Sequence, residues 1–219
     1  MRKLIQSIQQ RDPVAPGFWE VLLAYNGFHA VMFHRVNHWL WRRKCRLLAR
    51  IFSNIARMVT GIEIHPGAKI GNNLFIDHGT GVVIGETSVI GDDVTIYHGV
   101  TLGGNKQGGK GQKRHPTLQN GVMIGAGAQV LGNITMGAFA RVGSNSVVTS
   151  DVPDHATVTG IPARIIKTRG DGDQGFSYGL PGSDFNNPME DMMIKLMKDM
   201  ERLKHAMPSK APPPDSYEI

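Results

Sequence analysis

From Ile64 to Val148 an aliphatic residue returns every six positions, often followed by glycine. The series runs Ile64, Ile70-Gly71, Ile76, Ile84-Gly85, Ile90-Gly91, Ile96 and Leu102-Gly103, then resumes at Ile124-Gly125, Val130, Met136-Gly137, Val142-Gly143 and Val148. A six-residue period is neither the 3.6 of a helix nor the 2 of a strand. It suits a short strand plus a corner, with one aliphatic side chain per side pointing into a prism. Three sides make one coil of about 18 residues, and the span 62–152 then holds roughly five coils stacked at ~4.8 Å. The period breaks twice: Ile76 and Ile84 are eight residues apart, and Leu102 and Ile124 are 22 apart, which reads as three repeats plus four extra residues. Departures from a local rule are where functional residues tend to sit, and both breaks carry histidine.

Before the repeat, residues 18–25, 28–41 and 47–59 show helical apolar spacing, interrupted by Gly27 and the run Arg42-Arg43-Lys44. Residues 1–61 are therefore expected to form a helical cap and 62–167 the repeat domain. Residues 168–187, rich in Gly, Asp and Ser, read as a linker. Residues 188–206 read as a helix opened by Pro188, and 207–219 as an extended Pro-rich tail. In that helix Met189, Met193, Leu196, Met200, Leu203 and Met207 alternate at spacings of four and three, a seam able to form a short coiled coil.

Composition narrows the function classes. The 27 glycines against 7% aromatics point to a fold built of corners. A net charge of +6 suits a polyanionic partner, whether nucleic acid, a membrane surface or a phosphorylated cofactor. No stacking aromatics interleave with the basic residues, which argues against nucleic acid. The longest charge-free apolar stretch, 21–34, is shorter than the roughly 20 residues of a membrane span. The single cysteine, Cys45, excludes an intrachain disulfide and a CxxC metal site, so a soluble protein of the reducing cytoplasm is expected.

The repeat resembles that of the hexapeptide-repeat acyltransferases. Arg11-Asp12-Pro13, Gly27-Phe28-His29-Ala30, Glu63-Ile64-His65-Pro66, Asp77-His78-Gly79, Gly85-Glu86-Thr87, Gly103-Gly104 and Lys113-Arg114-His115-Pro116-Thr117 resemble the serine O-acetyltransferases among them. The resemblance covers residues 11–166. It implies a mainly β fold, a left-handed parallel β-helix with a short N-terminal α-helical cap and a C-terminal helix and tail. It also implies transfer of acetyl from acetyl-CoA to the hydroxyl of L-serine, the first step of cysteine biosynthesis.

An alcohol is a poor nucleophile while protonated, and an imidazole with a pKa near about 6.5 accepts its proton at neutral pH. By resemblance His78 is that base and Glu63, where the family often has aspartate, holds its other ring nitrogen. His115 is expected near the reacting hydroxyl and thioester. Resemblance also assigns Asp12 and Asp77 to the ammonium of serine and Arg114 to its carboxylate, for which a bidentate guanidinium is apt. It lays the CoA arm along Gly103, Gly104, Ala126, Gly143 and Ser144, with Lys106, Lys110 and Lys113 as candidates for the CoA phosphates. No metal is expected, and no acetyl-enzyme is needed because Cys45 lies outside these motifs.

Three other readings compete. An acetyltransferase acting on a sugar or xenobiotic hydroxyl shares the repeat but gives Asp12 and Arg114 no purpose. A zinc hydratase would draw imidazoles from His65, His78, His98 and His115. A scaffold without activity leaves His78 unexplained. The resemblance further implies a homotrimer, with pairing of trimers into a hexamer left open, and feedback inhibition by L-cysteine. It also implies docking of the terminal Ile219 into cysteine synthase.

Overall fold

The computed structural model describes residues 1–14, 16–105, 111–168, 193 and 195–202. Chain contacts divide it into two units, 1–181 and 182–219. In the second unit residues 195–202 are helical. The rest of the expected helix, its linker and the tail with Ile219 lie outside the described residues.

The first unit opens with four helices: α1 (Arg2–Arg11), α2 (Phe18–Ala24), α3 (Asn26–Arg42) and α4 (Arg46–Thr60). Three match the expected apolar periodicities. The first differs from expectation, since its polar sequence carries only Leu4, Ile5 and Ile8 as a stripe. All three are buried, and tertiary packing of that narrow face outweighs weak intrinsic signal.

Beyond Gly61 the chain forms a prism of three sheets with the left-handed parallel β-helix architecture. Sheet A contains β1 (Glu63–Ile64), β4 (Val83–Ile84), β7 (Thr101–Gly103), β10 (Gln129–Leu131) and β13 (Val147–Val148). Sheet B contains β2 (Lys69–Ile70), β5 (Val89–Ile90), β8 (Thr117–Leu118) and β11 (Thr135–Met136). Sheet C contains β3 (Phe75–Ile76), β6 (Thr95–Ile96), β9 (Met123–Ile124), β12 (Arg141–Val142) and β14 (Ala156–Gly160), closed by the antiparallel β15 (Ala163–Thr168). Register follows the repeat: Ile64 faces Ile84, Ile84 faces Leu102, and Leu102 faces Val130. Each side also buries a second residue two positions earlier, such as Ala68, Val82, Ser88, Val94 and Val100. Full burial of each Val, Leu or Ile contributes about 1.5–3 kcal/mol, so the stacked columns hold the prism.

The 22-residue gap resolves differently from its count. Leu118 is a buried inward position, paired with Ile90, that the glycine-based pattern skipped. All of the extra chain therefore sits in one corner, between β7 and β8, and not spread over three repeats. The eight-residue break is a two-residue widening of the corner between β3 and β4.

The first coil has no coil beneath it, so some of its carbonyls lack ladder partners, and the cap supplies donors. Ser53 Oγ donates to Ile64 O at 2.8 Å, and the Arg11 guanidinium donates to Asn73 O. Arg11 also reaches Asp93 O, Val94 O and Thr95 Oγ1 at 3.0–3.1 Å. Gly27 of α3 lies directly on the Ile76 backbone, where a Cβ would overlap the carbonyl. This contact brings the α2–α3 junction to the corner that carries His78.

Candidate active site

The widened corner from sheet C to sheet A begins Asp77-His78-Gly79, with His78 at φ +57° and Gly79 at φ +78°. Ordinary corners use the same left-handed residue, as at Asn73 and Asn145, so the two extra residues set His78 apart and its dihedral does not. Its side chain is 67% exposed, its Nε2 lies 3.9 Å from Asp77 Oδ1, and its ring meets His98 edge-on at 5.9 Å. At 3.9 Å this is an ion-pair distance and not a hydrogen bond, which leaves Nε2 available to a hydroxyl.

Asp12, at the end of α1, arrives beside this corner. Tyr25 Oη donates to Asp12 Oδ2 at 2.6 Å, while Val14 N donates to Oδ1 at 2.9 Å. With Glu20, Tyr25 and Ile76, the residues Asp12, Asp77 and His78 line a cleft of about 460 Å³. Burial pushes the Asp77 carboxyl above its usual range, and the Asp12 charge adds to that, against His78 and His98. Burial and the bond to Asp12 raise the Tyr25 hydroxyl, so it stays a neutral donor. Two carboxylates that repel each other beside an exposed imidazole form a place for a cation next to a proton acceptor.

Glu63 is placed otherwise than expected. Its Oε2 lies 3.9 Å from Arg57 Nε, and it forms no hydrogen bond or ion pair with His78. Arg114 and His115 stand on the other edge of sheet A, in the long corner between β7 and β8. Arg114 Nη2 lies 4.0 Å from Glu86 Oε2. His115 is buried at 7% exposure, with its ring over Gly85, where a Cβ would strike the imidazole. Its Nδ1 is held by Thr87, whose N–H lies 3.1 Å away and whose hydroxyl lies 2.8 Å away. Burial, Arg114 and Lys113 lower its pKa, against Glu86.

The expected CoA residues divide likewise. Ala126, Gly143 and Ser144 lie on the edge that carries His78, and Asn145 N donates to Ala126 O at 2.8 Å. Gly103 ends β7 on the other edge, and Gly104 packs against the Arg114 side chain. Lys113 is committed to the loop, donating to His115 O at 2.7 Å and Thr87 O at 3.2 Å. Lys106 and Lys110 lie outside the described residues. Among the described residues no helix is long and apolar enough to cross a membrane, and no cluster of His, Cys, Asp and Glu could hold a metal ion.

Tyr25 and Thr87 were not singled out as site residues by sequence reasoning. Thr87 was visible only as the end of Gly85-Glu86-Thr87, and Tyr25 had no signal beyond its place one helix after Asp12.

No family model matches the chain. Among curated proteins, serine acetyltransferase of Mycobacterium tuberculosis is 51% identical over 193 residues, 88% of this chain and 80% of that protein. The chain belongs to the serine acetyltransferase family. Among solved structures, Neisseria gonorrhoeae serine acetyltransferase in complex with serine superposes with a TM-score of 0.70 at 46% identity, covering 74% of this chain and 66% of that one. A serine acetyltransferase in complex with cysteine gives a TM-score of 0.75 at 44% identity, covering 80% and 69%. Membership removes the sugar acetyltransferase, hydratase and scaffold readings together.

Proposed function

We propose that this chain transfers acetyl from acetyl-CoA directly to the hydroxyl of L-serine, with His78 as general base. The observation that carries the reading is the cleft in which Asp12 and Asp77 flank His78. Its carboxylates suit the ammonium of serine, and its exposed imidazole suits the hydroxyl. His78 takes the hydroxyl proton as serine Oγ bonds to the thioester carbon. The C–S bond then breaks, and the proton returns to the CoA thiolate. Glu63 is the proposed partner of the His78 ring in the substrate complex, a contact it does not make in this structure.

Arg114 and His115 complete the site from a neighbouring copy, because one prism holds them on a different edge from His78. A homotrimer, alone or paired into a hexamer, supplies that neighbour. Support comes from α4, which turns small Ala49, Ser53 and Ala56 inward and leaves Leu48, Ile51, Phe52, Ile55 and Met58 exposed. An apolar stripe of that size belongs in an interface. The CoA arm then runs between copies, with Ala126, Gly143 and Ser144 on one side and Gly103 and Gly104 on the other.

L-cysteine differs from serine by sulfur for oxygen, so it fits the same cleft as a feedback inhibitor. We assign the reaction to the cytoplasm, where serine and acetyl-CoA are both available. The terminal Ile219 is a candidate anchor for cysteine synthase, since a free carboxylate plus one aliphatic side chain resembles an amino-acid ligand. Fully extended, a segment the length of 211–219 would span at most roughly 30 Å.

The test is CoA release with L-serine, L-homoserine and a galactoside. Preference for serine is expected, and equal or greater turnover of the galactoside would overturn the assignment. A peptide of the tail should bind the cognate cysteine synthase, and equal binding without Ile219 would remove the docking reading.

A further inference from the structure

His115 and Thr87 meet in a geometry that decides where a proton sits. The Thr87 backbone N–H points at His115 Nδ1 at 3.1 Å, and a backbone amide can only donate. Nδ1 must therefore carry its lone pair. The Thr87 hydroxyl accepts the N–H groups of Arg114 at 3.0 Å and His115 at 3.1 Å, which directs its own proton to Nδ1 at 2.8 Å. The neutral ring then carries its hydrogen on Nε2, for which the described residues hold no acceptor.

We infer that Thr87 is a positioning residue that locks His115 in the Nε2–H tautomer, so that His115 enters acyl transfer as a hydrogen-bond donor to a substrate oxygen and not as a second base. This rests on the reading that His115 belongs to the acetyltransferase site. The recipient is an oxygen that bears negative charge, either the serine carboxylate or the thioester oxygen as the tetrahedral intermediate forms.

The charges facing the ring keep it neutral. Burial acts with Arg114 and Lys113 on its own loop to disfavour the imidazolium, against Glu86 from the turn after β4. His65 of the first coil also interacts with it and is itself held down to about 4. Protonation of Nδ1 would in addition break both bonds from Thr87. Lys113 and Gly85 fix the remaining freedom, the first by tying the loop to the Thr87 carbonyl and the second by letting the ring lie on the coil.

Long-range ¹H–¹⁵N correlation spectra of the full-length protein, labelled at histidine, test the tautomer directly. His115 is assigned by its loss in His115→Gln. A pyridine-type Nδ1 and a protonated Nε2 are expected at neutral pH; the reverse tautomer or an imidazolium would overturn the inference. In kinetics, His115→Gln keeps a donor amide but no base, so it should retain roughly tenfold more kcat/KM than His115→Leu. Its acid limb should match that of the wild type, and equal loss in both variants would also overturn the inference.

Thr87→Val should lower kcat/KM about tenfold, while Thr87→Ser should stay near wild type. A loss confined to the KM for serine identifies the carboxylate as recipient, a loss in kcat identifies the thioester oxygen, and either supports the donor role. The spectra need no turnover. A protein that fails to acetylate serine would sink the functional reading while leaving the tautomer to be read separately.

Discussion

The two edges of sheet A carry imidazoles in opposite surroundings. On the edge from sheet C, His78 is exposed, beside Asp77 and facing a cleft that also holds Asp12. On the edge toward sheet B, His115 is buried among cations, with Arg114 and Lys113 on its own loop. His65 and His34 lie near that second edge, and burial above all holds them down to about 4 and about 3. Burial and neighbouring cations favour a ring that stays neutral, as at His115, while His78 stands open to a bound hydroxyl. In the proposed mechanism the same residue type transfers a proton on one edge and serves as a fixed donor on the other.

The largest effect should come from removing the first edge's base. His78→Ala is expected to lower kcat at least about 10²-fold without loss of fold, since its side chain is mostly in water and packs no core. Near-wild-type turnover in a purified, folded variant would break the contrast between the edges.

Arg114→Ala should cost roughly 30-fold or more in kcat/KM, mainly through the KM for serine, because it leaves a carboxylate unpaired. Mixing this variant with His78→Ala by co-refolding sharpens the comparison. If a site draws one edge from each of two copies, about a quarter of sites regain both intact edges and activity returns. No recovery in mixed oligomers would mean that each chain uses its own two edges.

Asp12→Asn probes the carboxylate pair. Removing its charge takes away a cause that raises Asp77, so Asp77 should ionise at lower pH than in the wild type. In the wild type, serine binding should weaken on acidification earlier than an ordinary aspartate would dictate, and this acid shift should shrink in the variant. A KM for serine with the same pH dependence in both would contradict the pairing.

The smallest effect on turnover, one read in stability instead, lies near the second edge. His34 is 4% exposed, its Nδ1 has no hydrogen-bond partner, and its pKa is lowered to about 3 by burial first and His38 next. The unfolded chain binds a proton there below about pH 6.5 and the folded one does not, so this group makes stability fall as pH drops from about 6.5 toward 3. Over that window the loss is a few kcal/mol. His34→Gln should flatten the slope of Tm against pH in that range, and an unchanged slope would show that His34 does not govern it.

The repeat, its six-residue period and one inward side chain on most sides were legible in the sequence, because each coil restates one local rule; the second buried column of Ala68, Val82, Ser88, Val94 and Val100 was not. Asp77-His78 and Arg114-His115 sit where the period fails, and the structure puts them in the two unusual corners of the prism. The skipped strand at Thr117-Leu118 shows the limit: without a following glycine, only pairing with Ile90 identifies Leu118 as inward. α1 was missed for a related reason, since three apolar residues in a polar segment become a helix only when there is a surface to bury them.

The sequence by itself determined the architecture and the chemical inventory, since burial of a periodic aliphatic column is a one-dimensional property of the chain. Tertiary structure alone decided which groups meet. Asp12 reaches Asp77 because Arg11 and Gly27 dock the cap on the first coils, and Glu63 turns to Arg57 because α4 lies beside β1. Thr87 holds His115 across 28 positions because a long corner folds back over Gly85. Hydrogen bonds and charge interactions fall off over a few ångströms, and separation along the chain carries no record of that distance.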